Sequence, residues 1–218
     1  MPVDTNLPKE GMLYQRRQYA KGGLGAVYWD FRDRAAFASI QGDRIVDIGC
    51  GEGITLERLV RTFHGKNIEG IDTERENIEI CRKQGLPVRY GSVFNLPFSE
   101  SSIDCVLFLE VIEHLKEPRM ALLEINRVLA PKGRLILIFP NDGIFRLARL
   151  LTGRLREAFY DAGHVMQWSP SRIRRVLKAG GFVPVSQRNL QYKFLPISLH
   201  HLVVAEKTTA QLFRRRAI

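Results

Sequence analysis

Short, almost wholly apolar runs alternate along this chain with stretches in which apolar residues recur every three or four positions. The first kind is read near 44–50 (RIVDIGC), 67–72 (NIEGID), 87–92 (PVRYGS), 103–109 (IDCVLFL) and 133–139 (GRLILIF). Runs of this length, bounded by Gly, Pro and polar clusters, predict strands covered on both faces. Helical spacing is read at about 53–63, 74–84 and 117–129, in the gaps between those runs, and again from near Ser171. Strands alternating with helices predict a parallel sheet. Two further apolar segments, 182–190 and 200–207, flank a loop containing Pro196 and predict a closing antiparallel pair. No internal repeat or low-complexity tract interrupts the pattern.

At 218 residues one α/β domain can bury a sufficient core without disulfides or metals. Cys50, Cys81 and Cys105 are odd in number and lack C-x-x-C spacing, so neither a disulfide framework nor a zinc cluster is suggested, and a cytoplasmic location is the default expectation. The longest apolar stretches, such as LILIF, fall far short of the roughly 18 residues that span a bilayer. Residues 1–43, with Tyr14, Tyr19, Tyr28 and Trp29, are expected to form a helical cap, covering either the sheet or the mouth of a ligand pocket.

The most informative chemistry follows the first strand. Asp47-x-Gly49-x-Gly51-x-Gly53 joins that strand to a helix, and Asp72 ends the next strand 19 residues after Gly53. Glycines let a ligand approach the backbone closely, the helix N-terminus offers free N–H groups, and an acid about 20 residues on is placed for ribose hydroxyls. A dinucleotide loop would read G-x-G-x-x-G. Here an acid precedes G-x-G-x-G, which opposes a pyrophosphate and favours a ligand carrying a positive amino group.

With YGSVFNLPF (90–98), SIDCVLFLEVIEHL (102–115) and LLEINRVLAPKGRLILIFPN (122–141), the loop resembles the class I S-adenosylmethionine (SAM)-dependent methyltransferases, in particular the type 11 group, from about Arg44 to Lys207. The resemblance implies a three-layer Rossmann-like sandwich whose seven-stranded sheet is mostly parallel with one antiparallel strand. It also implies that Asp47, Gly49, Gly51 and Gly53 hold the methionyl part of SAM, Asp72 the ribose, and Ser92 and Val93 the adenine, with Leu109 beside the cofactor. Many members have Asp where this chain has Ser92.

Methyl transfer needs alignment and exclusion of water, plus a base if the acceptor must lose a proton. His114, after strand four, and His164, after strand five, are the candidate catalytic residues. On a helical turn Glu110, Glu113 and His114 would share a face and suit Mg²⁺, a spelling similar to metal-using ubiquinone-biosynthesis O-methyltransferases and small-RNA 2′-O-methyltransferases; acids flanking a helix start and a packed histidine are the simpler reading. H-x-x-x-W-S before a helix has a simpler reading too, with Ser169 as N-cap and Pro170 at N1.

The insert 142–168, between strand five and the next helix, carries Ile144, Leu147, Leu151 and Leu155 at helical spacing among Arg146, Arg149, Arg154 and Arg156. It reads as a core-covering helix first and as a membrane or anionic-lipid contact second; in the family it roofs the acceptor pocket. The formal net charge of +10 and the basic tail 208–218, with Arg214, Arg215 and Arg216, keep nucleic acid in view. Aromatic residues are not interleaved with the basic ones as a single-strand groove would have them, so it is not favoured. The expectation is an enzyme that methylates a small lipophilic or anionic acceptor, at oxygen before nitrogen. An RNA 2′-O-methyltransferase and a SAM-binding partner protein without catalysis stand as alternatives, and a nicotinamide dehydrogenase comes last.

Overall fold

A computed structural model of the chain describes residues 14–141, 165–191 and 198–208. In chain order it contains α1 (Tyr14–Ala20), α2 (Leu24–Phe37), β1 (Arg44–Ile48), α3 (Ile54–Thr62), β2 (Asn67–Asp72), α4 (Arg75–Lys83), β3 (Val88–Tyr90), β4 (Ile103–Leu109), a 3₁₀ turn (Ile112–His114), α5 (Pro118–Val128), β5 (Leu129–Pro140), α6 (Pro170–Ala179), β6 (Phe182–Gln191) and β7 (Ser198–Lys207). The seven strands form one sheet in the order β3-β2-β1-β4-β5-β7-β6. β1 to β5 pair in parallel, and β7 runs antiparallel to both β5 and β6.

β4, flanked by β1 and β5, shows why the apolar runs are continuous rather than alternating. Leu107 packs into a cluster with Ala36 of α2 and with Leu56 and Leu59 of α3, while its neighbour Phe108 packs against Leu122 and Ile125 of α5 and Ile173 and Leu177 of α6. Successive side chains leave a strand on opposite faces, so a strand between two helical layers must be apolar at every position. The sandwich therefore has α2 and α3 on one face and α5 and α6 on the other.

Element ends depart from the sequence expectation where the backbone turns. β1 stops at Ile48 because Gly49 takes φ 74°, outside the extended region. β3 spans only Val88–Tyr90, after which Ser92 makes a tight turn in which its Oγ accepts from Phe94 N (3.2 Å). β5 begins four residues earlier than its apolar run, at Leu129, with a register shift against β4 where Lys132 adopts φ 63°. Ser169 does cap α6, accepting from Arg172 N at 3.3 Å, with Pro170 in the first turn.

The expected insert helix, His164, the 192–197 connection and the arginine tail lie outside the described residues. Among the described residues, no helix is long and apolar enough to cross a membrane.

Candidate active site

β1 ends in the loop Gly49–Gly53, which passes over the carboxyl ends of the strands, where ligands enter open α/β sheets. All three glycines hold positive φ. At Gly49 an added Cβ would come 2.5 Å from Val111 Cγ2, so the position admits no side chain. At Gly51 the space is open, the nearest such contact being Gln15 Oε1 at 3.6 Å. Gly49, Gly51, Asp47 and Leu109 line a cavity of ≈ 130 Å³, closed by Gln15, Trp29 and Arg32 from the two N-terminal helices and by Glu110.

Two acids frame the loop. Asp72 is tied down, its Oδ2 accepting from Gly51 N (2.8 Å) and its Oδ1 from Glu74 N (2.8 Å) and Asn77 Nδ2 (3.3 Å). Asp47 is the opposite case. It is 3% exposed, and its buried Oδ2 has no hydrogen-bond partner among the described residues. Burial, with added repulsion from Asp33, pushes its carboxyl up to about 7. A buried acceptor left unmatched costs free energy, so the fold keeps Asp47 in an expensive position.

α1 is fastened to the same loop. The buried carboxylate of Glu52 accepts from Gln15 N (3.2 Å) and Arg16 N (2.9 Å), while Arg16 Nε donates to Glu52 O (2.6 Å) and Arg16 Nη1 pairs with Glu57 (2.9 Å). Arg58 of α3 ties in α2 through ion pairs to Asp30 and Asp33 and also donates to Tyr19 of α1 (2.8 Å). The N-terminal helices are therefore walls of the cavity.

On the far side, Glu110 follows β4 with φ 57°, its N–H bonded to Ile138 O (2.8 Å). Its Oε1 lies 3.2 Å from Arg32 Nη1, 3.2 Å from Tyr28 Oη and 3.6 Å from His200 Nε2, and Tyr28 Oη is 2.6 Å from His200 Nδ1. Burial works to raise the Glu110 pKa, but Arg32 and His200 hold it below the usual range. Burial, and after it Glu110, raises that of Tyr28, which keeps its proton. Arg32 is also held by Asp33 (2.9 Å) and Thr55 (2.6 Å).

The Glu110, Glu113, His114 triad expected for Mg²⁺ does not assemble. Residues 112–114 form a single 3₁₀ turn rather than an α-helix, and Glu110 lies before it in left-handed backbone, so the three side chains diverge. Glu110 reaches the cavity, Glu113 is buried, and His114 is exposed in a separate groove with Phe94, Met120 and Leu123. Among the described residues, no three His, Cys, Asp or Glu side chains are placed to hold a metal. His114 is likewise absent from the cavity lining. Leu109 lines the cavity, Val93 is buried, and Ser92 lies in its turn after β3. Sequence reasoning overlooked Arg32 and His200; the one available signal was a charged residue and a histidine within otherwise amphipathic and apolar segments.

Comparison with known proteins gives the family. The family described as "Methyltransferase domain" matches residues 46–137. A ubiquinone biosynthesis O-methyltransferase from Maricaulis maris is 31% identical over 194 residues, covering 77% of this chain and 72% of the relative. The mitochondrial ubiquinone biosynthesis O-methyltransferase of Schizosaccharomyces pombe is 35% identical, covering 70% of this chain and 67% of the relative. Of four other curated relatives the chain spans only 31% to 47% of the length. Among solved structures, the PH0226 protein of Pyrococcus horikoshii superposes with a TM-score of 0.69 at 18% identity, over 86% of this chain and 93% of that one, a likeness of fold. With the glycine loop, the strand order and these matches in agreement, the chain belongs to the class I SAM-dependent methyltransferases of the type 11 group.

Proposed function

We propose that this chain transfers a methyl group from SAM to an oxygen atom of a small acceptor. The observation that carries the cofactor assignment is the buried, unmatched Asp47 carboxylate beside the open face of Gly51. A pyrophosphate would be repelled there, whereas the ammonium of a methionyl group supplies the missing donor and positive charge. Among the described residues Asp72 Oδ2 accepts from Gly51 N alone, and an ionised carboxylate has about four acceptor sites, so room remains for ribose hydroxyls. Ser92 and Val93 are assigned to the adenine, with the Ser92 hydroxyl hydrogen still available for donation, and Leu109 lies beside the cofactor.

When bound, SAM supplies a methyl already activated on a sulfonium. The protein must then align the acceptor and exclude water. Trp29, Arg32 and Gln15 do the second task by closing the cavity from above the loop. Oxygen is favoured as the target because relatives matched over 194 residues are named as O-methyltransferases and because the cavity presents a carboxylate, Glu110, to an incoming hydroxyl.

Calorimetric titration with S-adenosylhomocysteine (SAH), with NAD as control, tests the assignment. Binding at about micromolar Kd by SAH alone is expected. NAD binding as tightly, or SAH affinity untouched by Asp47→Asn and Asp72→Ala, would overturn it.

A further inference from the structure

We infer that Glu110 is the group that receives the acceptor's O–H, and that Tyr28 and Arg32 of α2, with His200 of β7, are the residues that position it. This rests on the methyltransferase reading and adds the chemical form of the acceptor, a neutral hydroxyl.

Four observations converge on Glu110. It lines the cavity that also contains Asp47 and the glycine loop. Its backbone is held at φ 57°, a strained conformation for a non-glycine residue and one that recurs at functional positions. Its three polar neighbours all meet Oε1, which leaves Oε2 without a hydrogen bond among the described residues while the side chain stays about one third exposed, at 32%. Its neighbours come from two elements distant in sequence, so the chain assembles the group only on folding.

The proton placement is self-consistent. Tyr28 keeps its hydrogen and donates it to Glu110 Oε1, and Nδ1 of His200 donates to Tyr28 Oη, so each proton has one acceptor. Arg32 is fixed in turn by Asp33 and Thr55, which prevents it from swinging to neutralise a ligand instead. Glu110 is therefore an oriented, ionised carboxylate.

Charge selects the acceptor. A carboxylate or phenolate acceptor would meet the open oxygen of the ionised Glu110, whose cationic neighbours Arg32 and His200 face the other oxygen. An amine would be held there as its ammonium, which has no lone pair to attack with. A neutral hydroxyl donates its hydrogen to Oε2 and turns its lone pair to the methyl. As the C–O bond forms and the S–C bond breaks, the oxygen becomes strongly acidic and its proton passes to Glu110. The balance is ROH plus sulfonium giving ROCH₃, thioether and H⁺, so a carboxylate of lowered pKa is basic enough.

The test uses the full chain, SAH titration and two probes, catechol and 4-nitrocatechol, at about pH 8, where the nitro compound is ionised and catechol is not. Glu110→Gln leaves Arg32 its Asp33 partner, so the fold holds. Expected are SAH affinity within about threefold of wild type, a loss of about 10²-fold in kcat on catechol, and little loss on 4-nitrocatechol. In the SAH complex, the absorbance of bound 4-nitrocatechol should report the neutral form with wild type and the anion with Glu110→Gln. Tyr28→Phe should shift both readouts in the same sense, by less. Equal losses on the two probes, an unchanged absorbance, or no transfer to either catechol by a protein that binds SAH overturns this inference and leaves the methyltransferase reading intact. Failure to bind SAH overturns both.

Discussion

Asp47 shows how a single residue couples ligand, proton and stability. Its raised pKa means that the folded apo protein binds a proton that the unfolded chain releases near pH 4, so this group lowers stability as pH rises from about 4 to about 7 and exerts its full effect above that. Asp47→Asn should accordingly stabilise the apo protein at pH 8, by up to roughly 4 kcal/mol for a displacement from about 4 to about 7, seen as a higher melting temperature. It should weaken SAH at the same time. In wild type, SAH affinity should fall about tenfold per pH unit below 7, a slope that calorimetry at several pH values would find missing in Asp47→Asn. Asp47 was legible because its chemistry is local, two residues from the first glycine of the loop. Glu110's companions were not, since Arg32 lies 78 residues from it, and Tyr28 lies 172 residues from His200. Spacing along the chain carries no trace of such a meeting.

At the level of elements, the strands were readable because both faces of the sheet are covered, which forces continuous apolarity. The 3₁₀ turn was not readable. Three residues of helix give no periodicity, and reading an α-turn there put Glu110, Glu113 and His114 on one face that does not exist. The short helix α1 has only seven residues, too few to persist in water unaided. Its first turn is held by Glu52, whose carboxylate accepts two backbone N–H groups. Glu52→Ala should release α1 and speed SAH dissociation about tenfold, since hydrogen bonds to a charged acceptor contribute about 1–3 kcal/mol. Stopped-flow displacement would measure it; an unchanged off-rate would mean that α1 does not gate exit. Gly49→Ala meets Val111 at 2.5 Å in left-handed backbone and should destabilise the protein by about 1–3 kcal/mol, which chemical denaturation would read.

Across the whole molecule, the central sheet makes every layer depend on it. Phe108 is fully buried against α5 and α6, and Phe108→Ala should cost about 3–5 kcal/mol. SAH at a hundred times its Kd adds about 2.7 kcal/mol, so the melting temperature of this 218-residue chain should rise by about 5–10 °C. A shift near zero at saturation would count against the site. The antiparallel return of β7 has a quieter effect. It sets Pro140 opposite His200 and Phe139 opposite His201, one imidazole toward Tyr28 and Glu110 and the other toward Phe139 and Asn189. Slide β7 by a single residue, and every side chain changes face. Leu202 and Val203 would trade layers and the packing would suffer, yet a slide that carries His201 to the place of His200 would still bring a ring nitrogen beside the pocket, whereas the opposite slide would bring Leu199. In that one direction the doublet gives the strand a spare.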